Sequence, residues 1–144
     1  MENKDTICLL KECDAGSKMG VDAIDDILEK VKDAKMKQIL QESKYEHVKL
    51  GDDIHAMLNE CHADEKEPGM MAKSMSHMKT SMKMAMDASD ATVAALITDG
   101  CDMGIKSLTQ YLNEYANADK RAKDLCQKLI TIEENLRTGM KKYL

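Results

Sequence analysis

The stretch DAKMKQILQESKYEHVKLGDDIHAMLNEC, residues 33–61, decides the fold. Met36, Leu40, Ser43, His47, Leu50, Ile54, Met57 and Cys61 follow one another in alternating steps of four and three without a break. Only an α-helix gathers residues at that spacing onto one face. Asp33 stands just before the stripe, where a carboxylate accepts from the first free N–H groups of a helix. Upstream, Ile7, Leu10, Val21, Ile24, Leu28 and Val31 keep the same period and predict a helix from Asn3 to Val31. Almost no chain separates the two stripes, so the helices form an antiparallel hairpin.

A second hairpin is predicted downstream. Ala94, Ile97, Cys101, Ile105, Leu108, Leu112 and Tyr115 line a helix from Ser89 to Tyr115. Ala118, Ala122, Leu125, Leu129, Ile132, Leu136, Met140 and Tyr143 line another after Asn117. No run alternates with period two, so no strand is expected. The joint between the hairpins holds Pro68-Gly69, the one Pro-Gly pair, and then a Met-rich segment in which Met71, Met75, Met78, Met82 and Met86 share one helical face. The expected fold is therefore all-α: an antiparallel four-helix bundle with hairpins at 3–62 and 89–144, joined by a long crossover at 63–88 that contains a short Met-rich helix. A long crossover between hairpins is ferritin-like topology. The stretch Cys13-Asp-Ala-Gly-Ser-Lys18 returns as Cys101-Asp-Met-Gly-Ile-Lys106, which suggests that the hairpins repeat one unit.

The chain has 144 residues, the size of one domain spanning 1–144, and the absence of a basic-then-apolar leader or a long apolar run predicts a soluble, cytoplasmic protein. Its formal charge of −5 argues against nucleic acid as a partner. Cys8, Cys13, Cys61, Cys101 and Cys126 are an odd number without a CxxC pair, and they read as reduced thiols.

Residues Leu9–Gly20, LLKECDAGSKMG, and Val31–Lys37, VKDAKMK, resemble a bacterial family of ferritin-like four-helix bundles classed as a domain of unknown function. The likeness spans nearly the whole chain and is carried by diffuse helix-packing signatures. It implies the ferritin-like fold and a bacterial source, and it brings no activity.

Ferritin-like oxidases hold two iron or manganese ions with a Glu from each of two helices and a Glu-x-x-His from each of the other two. Here Glu46 is followed at the third place by Lys49, Glu133 by Leu136 and Glu134 by Arg137, so both histidines of the motif are missing. Measured against the apolar stripes, Glu46 and Glu133 fall on the flanks, and the inward positions of the fourth helix, Ile132 and Leu136, show only hydrocarbon to the centre. Cys13, Asp14, Ser17, Ser43, Glu46, His47, Cys101 and Asp102 remain as inward or near-inward polar groups. No catalytic or cofactor-binding residue and no metal are expected. Any ion held there, iron or manganese first, would use Asp14, Glu46, His47 and Asp102.

His47 is expected to be a neutral core histidine bonded to Ser17, Ser43 or Asp14, and its replacement by Leu is expected to cost little. Cys13 and Cys101 read as small core fillers rather than a redox pair. Gly16 with Gly20 and Gly100 with Gly104 read as small patches that let helices approach. His55 and His62, seven apart on one face, offer two ligands at most. The Met stripe reads as packing first, then as a surface for a protein or membrane, and last as thioether ligands for Cu(I). These features point to a non-enzymatic structural or protein-interaction module with a degenerate metal site, its expected partner a second copy of the chain in a homo-oligomer, or another protein. The alternative is a divergent ferritin-like protein that stores or oxidises iron or manganese.

Overall fold

A computed structural model describes residues 3–61 and 89–144. They form four long α-helices, α1 (Lys4–Leu28), α2 (Ala34–Glu60), α3 (Asp90–Glu114) and α4 (Lys120–Met140), then a 3-10 turn at Lys141–Tyr143. No strand occurs among the described residues. The segment carrying the expected crossover, the Met stripe and His62 lies outside them.

Three of the helices start on a side-chain cap. Asp33 accepts from the Met36 N–H at 2.9 Å, Asn3 from Thr6 at 2.8 Å and Ser89 from Thr92 at 3.2 Å. Each oxygen satisfies a backbone donor that the helix itself leaves open. α4 begins differently: the Asp119 N–H donates to Thr6 Oγ1 at 2.8 Å, so its start is tied to the start of α1. Asn3 Nδ2 donates to the Asn117 carbonyl at 2.7 Å, and Arg121 reaches Glu60 at 3.3 Å. One end of the bundle thus gathers the start of α1, the end of α2 and the α3–α4 turn.

At the other end the Asp90 carboxylate accepts from the backbone N–H groups of Lys32 and Asp33, at 2.8 and 2.9 Å. The α1–α2 turn is thereby fixed to the start of α3. These ends set the directions of the helices: α2 and α3 run the same way on opposite corners, and the neighbouring pairs α1–α2, α2–α4, α4–α3 and α3–α1 are all antiparallel. α1 and α4, running the same way, also touch.

The core is divided in two. Leu9, Leu10, Leu50, Ile54, Met57, Leu108 and Leu129 fill the block at the Asn3 end, with Cys13 and Cys126 among them. Ile24, Ile27, Met36, Leu40, Val93, Leu136 and Met140 fill the block at the Asp33 end, with Cys101. The side chains between the two blocks are polar.

Candidate functional site: a polar layer between two cores

His47 is fully buried on α2 at the midpoint of the bundle. Its Nδ1 lies 2.8 Å from the Ser43 carbonyl oxygen and 3.4 Å from Ser43 Oγ. A carbonyl can only accept, so Nδ1 carries a proton and donates. Its Nε2 lies 2.8 Å from Glu133 Oε1, across the α2–α4 interface. Glu133 is buried as well, 8% exposed. Cys101 on α3 is buried as well. Burial first, then the charge of Glu133, pushes its thiol far up, so it remains protonated.

Glu133 was expected on the flank of a helix showing only hydrocarbon inward. It faces the centre instead, and Ile132 is only partly buried beside it. The inward run of α4 is Ala122, Cys126, Leu129, Glu133, Leu136 and Met140, in the same alternation of four and three that marks α2. The signal was present in the spacing, and the apolar Leu125 and Ile132 drew the wheel one residue away from it.

The other polar candidates divide. Asp14, on α1, is buried, with Oδ2 3.1 Å from Lys18 Nζ, and Ser17 Oγ donates to the Asp14 carbonyl at 2.9 Å. Glu46 is exposed on α2. Asp102, also exposed, accepts from Arg137 at 2.8 Å. Neither of these two lines the centre. Cys13 and Cys101 occupy different core blocks. Among the described residues no group of three or more His, Cys, Asp and Glu is arranged to hold a metal ion.

Backbone makes room for the layer at Gly20. A Cβ there would stand 2.5 Å from His47 Cδ2 and 2.6 Å from Nε2, so α1 passes the imidazole edge with nothing larger than hydrogen between them. Gly16 and Gly104 leave ordinary contact distance, 3.5 Å, to Leu129 and Glu133, and Gly100 has nothing within 4 Å. Of the four expected small-residue contacts, only Gly20 is a close approach. An open groove of about 420 Å³ between α1 and α2 exposes the edge of the layer and is lined by Asp14, Ser17, Lys18, His47 and Gly51 among others.

Burial alone would lower the pKa of His47. The hydrogen bond and charge of Glu133, the Ser43 carbonyl and the charge of Glu46 outweigh it, and the net shift is upward from 6.5. A group whose pKa is higher folded than unfolded stabilises fully below the unfolded value, and that stability is lost as pH rises through the folded value. Urea midpoints are therefore expected to fall as pH is raised above about 6.5, and the double variant His47→Leu/Glu133→Leu should lack that component. A slope unchanged in the double variant would assign the pH dependence elsewhere.

No family model matches the sequence, and neither does any curated protein. Among solved structures, the chain is similar to the crystal structure of a DUF305 fragment from Deinococcus radiodurans, with TM-score 0.77 and 10% identity over 98% of this chain and 95% of that one. The two share a fold, and that neighbour is a bacterial domain of unknown function. No helix among the described residues is long and apolar enough to cross a membrane.

Proposed function

We propose that the chain is a non-enzymatic module of ferritin-like architecture, bacterial and cytoplasmic in type, whose centre is closed by a protein–protein pair instead of a metal. One observation carries this reading: both ring nitrogens of His47 are engaged, Nδ1 by the Ser43 carbonyl and Nε2 by Glu133. A histidine ligand must offer a free ring lone pair to the ion. Here the one buried histidine among the described residues and the carboxylate facing it satisfy each other. The ferritin-like part rests on the ends of the bundle, since α2 finishes where α1 begins and α3 starts at the opposite end. The surface proposed for a partner or a second copy is the stripe Met71, Met75, Met78, Met82 and Met86, chosen on its helical spacing alone.

Elemental analysis of protein purified without a histidine tag, followed by aerobic titration with Fe(II), tests the closed centre. The expected result is no stoichiometric iron or manganese and oxidation no faster than in buffer. Two irons per chain with an oxo-bridged absorbance would overturn it and establish the divergent iron or manganese protein.

A further inference from the structure

The open groove between α1 and α2 carries a pattern of charge that the polar layer does not use. Among the described residues lining it are three carboxylates, Asp14, Asp22 and Asp52, against one ammonium, that of Lys18. Gly51 packs on Ser17, where a Cβ would stand 3.2 Å from the hydroxyl oxygen, and Gly20 packs on His47. This antiparallel register places Asp52 at a level between Asp14 and Asp22, and the eight steps from Asp14 to Asp22 rise about 12 Å along α1. The acids are thus strung along the groove, and among the described residues no three ligands converge as a metal ion requires.

Asp14 is 2% exposed, and its Oδ2 is buried without a hydrogen bond. Lys18 Nζ stands 3.1 Å from this oxygen but completes no hydrogen bond to it. A buried carboxylate oxygen in that state is costly, and a donor aligned with it would remove the cost. The group already beside it is a primary ammonium on a methylene chain. Val21, half-buried, and Val48, exposed, give the groove apolar walls against which such a chain can lie.

We propose that this groove binds a linear polyamine, whose ammonium groups meet Asp14, Asp52 and Asp22 in turn while its methylenes lie against Val21 and Val48. The terminal ammonium replaces that of Lys18 at Asp14, and Lys18 turns outward to solvent. Carboxylates spread over about 12 Å select an elongated cation over a point charge or a short one. The proposal does not depend on how His47 and Glu133 close the centre, since the ligand takes neither.

The test titrates spermidine into the full chain by calorimetry at about 0.15 M salt, with 1,4-diaminobutane, butylamine and magnesium chloride as comparisons. The expected result is one spermidine per chain, bound about tenfold or more tightly than any of the other three. The rim variant Asp22→Asn/Asp52→Asn alters two exposed side chains, and Asp14→Asn alters the buried one; each should weaken spermidine binding about tenfold or more. Asp124→Asn, on α4 outside the groove, should change the affinity by less than about twofold. Circular dichroism checks the fold of each variant, and if Asp14→Asn unfolds, the rim variant decides. No binding, equal binding of magnesium or 1,4-diaminobutane, or a loss in Asp124→Asn as large as in the rim variant would each overturn the proposal, the last by showing diffuse attraction to an acidic surface.

Discussion

His47→Leu is expected to destabilise the bundle by about 3 kcal/mol or more, because it removes one member of a buried, hydrogen-bonded pair and leaves the other charged group without it. For a chain of this length that corresponds to a fall in Tm of roughly 10 °C. On sequence alone the substitution looked nearly harmless, since a neutral histidine with hydroxyl partners exchanges readily for an apolar side chain. The partner found in the structure is a carboxylate, 2.8 Å away and almost wholly buried, and that reverses the expectation. Adding Glu133→Leu should restore much of the loss, as both polar groups are then replaced by hydrocarbon continuous with the two core blocks. Urea unfolding of the two single variants and the double variant gives the coupling between them. Purely additive losses would mean that the two side chains do not act as a pair.

Gly20→Ala should cost on the order of 2–4 kcal/mol, against the usual gain when alanine replaces glycine within a helix. The added methyl would meet the imidazole at 2.5 Å, and the ring cannot retreat while Ser43 and Glu133 hold both its nitrogens. Either α1 moves outward or a hydrogen bond breaks. Gly100→Ala provides the contrast. That position is exposed in mid-helix with nothing within 4 Å of a new methyl, so about 0.5–1 kcal/mol of stabilisation is expected there. The paired measurement is a denaturation midpoint for each variant. Two changes of the same sign would show that the imidazole is not clamped.

The period of the apolar residues was enough to place the four helices and the Asp33 cap, because burial on one face leaves a mark at every turn. His47 emerged from the same count, as one polar residue in an unbroken run. Its partner did not, although Glu133 obeys the same rule on α4. The difficulty is physical: a helix with two adjacent apolar rows, Leu125 and Ile132 beside Cys126 and Leu129, has a face wide enough that its centre is set by the neighbours it packs against. Glu46 and Asp102, each next in sequence to a buried residue, His47 and Cys101, are themselves exposed. Contacts between helices far apart in sequence, such as Asp90 with the α1–α2 turn, leave no periodic mark on either segment alone.

The two halves of the polar pair also carry an address. Leu40, Ser43, His47, Leu50 and Ile54 on α2 have the spacing of Cys126, Leu129, Glu133, Leu136 and Met140 on α4, so His47 and Glu133 hold corresponding places in two similar hairpins. Had two first hairpins come together, imidazole would face imidazole at the centre; two second hairpins would bury carboxylate against carboxylate. Both like pairings are penalised, and only the unlike one is satisfied. The layer thus favours the union of a first hairpin with a second over either like pairing.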